Sequence, residues 1–148
     1  MRARDLATAF PTVRQETPAL AAARLLAGQN LPGLIVVDAD GRPLTVLPGT
    51  QVLRLAIPSY CQDDPALARV IDEGAADVFL RGVGDRTVAE LLPRTHRELP
   101  VVDPEATVLE VAAVMAASRS PLVAVAGKRQ PMLGAITLDA LLDRMLGT

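Results

Sequence analysis

The chain repeats itself, and that constrains its fold more than any other feature. Sliding the 148-residue sequence on itself by 89 residues gives an ungapped match. Val13 falls on Val102, Glu16 on Glu105, Leu20 on Leu109, Ala23 on Ala112 and Ala27 on Ala116. Pro32 then falls on Pro121, Val36 on Val125, Leu44 on Leu133 and Leu53 on Leu142. Between these identities the apolar class is kept, as in Leu25/Val114, Leu34/Val123, Leu47/Ile136 and Val52/Leu141. Identities held in one register, with proline on proline ahead of a strand, mark a duplicated unit.

Each copy has the same grammar. A short apolar piece opens it, Thr12-Val13-Arg14 or Pro100-Val-Val-Asp103. A helix follows. Thr17 is the expected cap and Pro18 the expected first helical residue in the first copy. Thr107 is the expected cap in the second, with Val108, Val111, Ala112 and Met115 as its stripe. Two strands come next. Leu34-Ile-Val-Val37 and Leu44-Thr-Val-Leu47 flank Asp38-Ala-Asp-Gly41, a hairpin signal. Leu122-Val-Ala-Val125 and Leu133-Gly-Ala-Ile136 flank 127–131. A last helix closes each copy, over about 50–57 before Pro58 and about 138–146. Each copy therefore reads β-α-β-β-α.

Short helical lead-ins precede both copies, Ala3-Arg-Asp-Leu6 and Val88-Ala-Glu-Leu91. Thr87-Val-Ala-Glu90 has the form of a capping box. Between the copies Asp64 caps, Pro65 starts, and Leu67, Ala68, Val70 and Ile71 form a short helix that Gly74 ends. The expected organisation is 1–58 for the first repeat, 59–86 for a partly helical, ordered connector and 87–148 for the second repeat.

Composition excludes several functions. Half the residues are hydrophobic, which is enough for a packed core. The formal charge is −2 and aromatics are 2% of residues, so neither a basic surface nor stacking platforms for nucleic acid are expected. Cys61 and His96 are each the one residue of their kind, too few for a disulfide scaffold or an all-protein Cys/His zinc site. No nucleophile–base pair, metal cluster or convergent acid pair stands out, so no enzyme is expected. No signal-peptide core is present, and no run approaches the roughly 18 apolar residues of a membrane span. The expectation is a soluble cytoplasmic protein with no membrane or nucleic-acid partner. Gly82-Val-Gly84 lacks the rest of a dinucleotide fingerprint, and Asp38-x-Asp40-Gly41 lacks the later ligands of a calcium loop.

Two imperfect β-α-β-β-α copies, each with a proline opening its central strand, resemble a tandem cystathionine-β-synthase (CBS) domain pair, or Bateman module. The residues that carry the resemblance are Pro32-Gly-Leu-Ile-Val-Val-Asp-Ala-Asp-Gly41, Ser120-Pro-Leu-Val-Ala-Val125 and Gly134-Ala-Ile-Thr-Leu-Asp-Ala-Leu-Leu142. The last string is similar to that family's strand-to-helix junction, Gly-x-x-Thr/Ser-x-x-Asp/Asn. The resemblance implies an α/β (α+β) fold with two repeats packed sheet to sheet about a pseudo-two-fold axis. It also implies clefts between repeats that hold AMP, ADP, ATP or S-adenosylmethionine, with no other cofactor. Such a stand-alone regulatory module would signal to an unidentified protein partner. The alternative is an interaction or dimerisation module that binds no ligand.

The junction has its own physical reading. Gly134 lets a flat ligand or a neighbouring backbone approach a strand. Thr137 sits where strand becomes helix, so its hydroxyl and the first free N–H groups can meet a phosphate, or the hydroxyl can serve as a plain N-cap. The family's acid would stand three residues later, where this chain has Ala140. Asp139 is one residue early, turned about 100° around the helix; it is either a ribose ligand or a first-turn acid favoured by the helix dipole. At the 89-residue offset the first copy has Thr45, Pro48 and Gln51 at the positions of Gly134, Thr137 and Ala140. Pro48 offers neither hydroxyl nor N–H, and Thr50 is the expected cap of the helix after it. The candidate ligand residues are therefore Thr137, Asp139, Gly134, Pro121, Ala140, Gln51 and Pro32, with the second copy favoured. The alanines Ala21, Ala22, Ala23, Ala112, Ala113, Ala116 and Ala117 allow close helix contacts, and a homodimer is expected.

Overall fold

The computed structural model describes residues 1–29, 31, 33–57, 59–70, 74–93 and 98–147. Pro32, Ile71 and His96 lie outside the described residues. The elements run α1 (Ala3–Leu6), β1 (Thr12–Val13), α2 (Ala19–Gln29), β2 (Gly33–Val37), β3 (Pro43–Pro48) and α3 (Gly49–Ala56). Then come α4 (Ser59–Asp63), a 3₁₀ helix (Pro65–Val70) and α5 (Ala75–Val83). The second copy follows as α6 (Val88–Leu91), β4 (Val101–Val102), α7 (Val108–Ser118), β5 (Leu122–Val125), β6 (Gly134–Thr137) and α8 (Leu138–Leu146).

The repeat register holds element by element. At an offset of 89, β1 coincides with β4, α2 with α7 at both ends, and the start of α3 with that of α8. The lead-ins α1 and α6 are instead offset by 85. Each copy forms one three-stranded sheet, ordered β1-β2-β3 and β4-β5-β6. In the second sheet β4 is parallel to β5, and β5 is antiparallel to β6, with Leu122 opposite Thr137 and Val125 opposite Gly134. The fold is a mixed α+β one with two small sheets.

The chain divides into two compact units, 1–12 with 35–46 and 97–148, and 13–34 with 47–96. Each unit contains a lead-in that belongs to the other copy's stretch of sequence. In the first unit, Ala3 N donates to Ala106 O at 2.8 Å and Arg4 N to Pro104 O at 3.0 Å. In the second, Val88 N donates to Thr17 O at 2.8 Å and Ala89 N to Gln15 O at 2.9 Å. The two sets are the same bonds written twice, because each donor and acceptor has its counterpart in the other copy.

Alternation along the strands builds the first unit's core. Val123 and Val125 of β5 and Ile136 of β6 join Val111, Met115 and Leu141 of the helices. Leu122, Ala124 and Ala135 point the other way and pack with Ile35 and Val37 of β2. Both faces of these strands are buried, which explains apolar runs without polar alternation. That second cluster packs sheet on sheet, as the resemblance implied.

Local signals explain most boundaries. Thr107 Oγ1 accepts from Glu110 N at 3.1 Å, so the expected cap of α7 forms. Asp38 Oδ1 accepts from the amides of Asp40 and Arg42, both at 2.9 Å, and Gly41 takes φ +82°, which makes the expected turn. Asp64 Oδ1 accepts from Ala66 N at 3.2 Å and Pro65 starts the next helix, as read. Other expectations are corrected. Helix α2 begins at Ala19, and the Thr17 hydroxyl accepts from Arg14 N at 2.9 Å, in the turn before it. Pro48, not Thr50, is the N-cap residue of α3. Thr87 makes no capping bond; its hydroxyl donates to Glu90 at 3.4 Å. The connector's helix is 3₁₀ over Pro65–Val70, where no residue is buried, and Ile71 of the expected face lies outside the described residues. Gly74 opens α5, a helix the sequence reading did not separate.

Candidate functional site

The β6–α8 junction forms in the first unit. Strand β6 ends at Thr137, whose φ of −89° and ψ of 158° are extended, and α8 starts at the next residue. The Thr137 hydroxyl accepts from Ala140 N at 3.2 Å, so its plain capping role is real. An accepting hydroxyl still carries a proton to donate. Leu138 N donates to the carbonyl of Pro121 at 2.9 Å, which links the strand-opening proline to the helix start. Asp139 is exposed in the first turn, and Ala140 is half-buried beside it. Thr137, Asp139, Ala140 and Pro121 thus meet at one place.

Gly134 stands at the other end of β6. A Cβ there would meet the Thr8 carbonyl oxygen at 2.6 Å and Ala7 Cβ at 3.3 Å. Thr8 N donates to Ala135 O and Ala135 N to Thr8 O, both at 3.0 Å. The lead-in backbone therefore fills the room that glycine leaves. Of the two approaches glycine permits, the neighbouring backbone is the one present.

The first copy's junction lies in the second unit and differs. Pro48 holds the capping position with no side-chain bond. Gln51 Nε2 donates to the Leu91 carbonyl at 2.9 Å, so its amide is engaged with α6. Thr45, at the position of Gly134, is buried and bridges to Glu98 in the first unit.

A groove of about 370 Å³ runs between α7 and α8 in the first unit. Met115, Pro121, Leu138, Leu141, Leu142 and Met145 line it. Arg119 and Ser120 give it a polar end, and Arg119 takes a left-handed φ of 54° where it terminates α7. The sequence reading missed this groove, because nothing in a single helix stripe shows which face stays uncovered. Among the described residues no group of three or more His, Cys, Asp and Glu could hold a metal ion. No described helix is long and apolar enough to cross a membrane. Cys61 is buried and free.

The geometry is that of two fused β-α-β-β-α repeats, and the family comparison agrees. The CBS domain model matches residues 3–53 and 88–147. The chain belongs to the CBS domain family, as a tandem pair. It is similar to a CBS domain-containing protein of unknown function from Kribbella flavida, at 51% identity over 99% of both chains, with a TM-score of 0.92. Its fold is also that of CBSX2, whose crystal structure is a complex with AMP, at 17% identity over 99% of this chain and 96% of that one, TM-score 0.68. Hypoxic Response Protein I, solved with two coordinated zinc ions, matches at 20% identity over 96% and 97% of the chains, TM-score 0.65. No curated protein matches the chain.

Proposed function

We propose that the chain is a regulatory module that binds an adenosine-type nucleotide at the β6–α8 junction and passes the event to a protein partner. The observation that carries this reading is Thr137. It stands at the start of a nine-residue helix, where its hydroxyl proton and the positive end of the helix dipole favour a phosphate. Asp139 supplies an exposed carboxylate in the same turn, suited to ribose hydroxyls. The AMP complex of CBSX2, a protein of the same fold, supports the ligand class. AMP, ADP, ATP and S-adenosylmethionine are the ligands to test.

A second reading is an interaction module that binds no nucleotide. Ala140, which has no carboxylate, and the uncovered apolar groove beside the junction favour it. A melting experiment separates the two. At about 100 times Kd a ligand adds about 2.7 kcal/mol to the native state, or roughly 5–10 °C for a chain of this size. A shift with one of the four ligands at millimolar concentration supports the nucleotide reading. No shift with any of them gives the interaction reading the lead.

A further inference from the structure

We propose that the first copy's junction, Pro48 to Gln51, is a built-in latch rather than a ligand site, so that each chain takes one nucleotide. The stoichiometry rests on the reading of the second junction above; the latch does not. Gln51 occupies the position of Ala140 in the repeat. Its Nε2 donates to the Leu91 carbonyl at 2.9 Å, in a part-buried setting, across 40 residues of sequence. Leu91 and Val88 of α6 are fully buried. The bond therefore joins the first turn of α3 to a lead-in helix that the Thr17 and Gln15 carbonyls also hold.

Two of the groups that serve the second junction are missing or engaged in the first. Pro48 stands at the position of Thr137 and brings no hydroxyl and no N–H. At the position of Ala140, the Gln51 side chain is anchored through its Nε2 to the carbonyl of Leu91. The α6 lead-in is then held whether or not nucleotide is present, and only the second junction responds to it.

Hydrogen exchange tests the latch without any ligand. Gln51→Glu keeps the shape and removes the donor; Gln51→Ala removes both. In each, exchange of the α6 amides of Val88 and Ala89 is expected to rise about five-fold, the loss of one ordinary hydrogen bond. The Ala3 and Arg4 amides, held in the other unit, are expected to keep their protection. Unchanged α6 exchange in both variants overturns the latch. Calorimetry with AMP tests the stoichiometry: one site per chain is expected, and two overturn it. Failure of AMP, ADP, ATP and S-adenosylmethionine to bind would refute the nucleotide reading, while the exchange data still decide the latch.

Discussion

Position 140 decides how strongly the second junction can hold a ribose. Ala140 follows Thr137 by three residues and is half-buried, with its amide already bonded to the Thr137 hydroxyl. An acid placed there would lie in the first turn of α8, where the helix dipole favours it. Ala140→Asp is therefore expected to tighten nucleotide binding about ten-fold or more, since hydrogen bonds to a charged group contribute about 1.5–3 kcal/mol. Thr137→Val keeps the shape and removes the hydroxyl, so it is expected to weaken binding, with about 1 kcal/mol of stability lost as well. Calorimetry on both variants, with melting as the folding control, checks this. Weaker binding in Ala140→Asp, or intact binding in Thr137→Val, would show that the ligand does not sit on this turn. Capping at Thr107 and Thr137 was legible because a threonine stood directly before an apolar stripe. Thr17 is a cap by residue type but not by register. The 89-residue offset puts Pro18, not Thr17, opposite Thr107, and α2 starts accordingly at Ala19.

At the scale of elements, the close approach of α5 to α3 rests on one glycine. A Cβ on Gly82 would collide with the backbone of Ala56, the last residue of α3, and lie 2.6 Å from its carbonyl carbon. Alanine at that site gains about 1 kcal/mol of helix propensity but incurs about 1–3 kcal/mol of overpacking. The steric cost wins, and Gly82→Ala is expected to lower the melting temperature by several degrees. Gly28 in α2 is the internal control. A Cβ there meets nothing within 4 Å, so Gly28→Ala is expected to raise stability by up to about 1 kcal/mol. Equal melting temperatures for the wild type and Gly82→Ala would mean that the two helices do not pack this tightly. The same glycine hid α5 from the sequence. Gly82 and Gly84 are helix-disfavouring residue types, and helix propensity carries no information about a neighbouring backbone. Strands β2 and β5 were legible for the opposite reason: both faces are buried, and their apolar runs say so directly.

For the whole molecule, duplication was legible and the exchange of lead-ins was not. Identities at a fixed offset disclose two like units, but no residue pattern says that α1 bonds beside Ala106 while α6 bonds beside Thr17. The uncovered α7–α8 groove leads to the last prediction, which concerns assembly. Leu142 and Met145 line it and are 44% and 51% exposed, and Leu138 is 40% exposed. Contiguous apolar surface of this kind marks an interaction site, and symmetric pairs are the commonest way to cover one. A homodimer, twice the 15.6 kDa of one chain, is expected by light scattering at about 50 μM, above the micromolar Kd of many protein contacts. Because Leu142 and Met145 lie outside the buried core, charging them should leave the folded chain intact. Leu142→Glu with Met145→Glu is therefore expected to give a folded monomer, with an unchanged circular dichroism spectrum. A wild-type monomer at that concentration would sink the assembly. A double variant that stays dimeric would place the interface on another face.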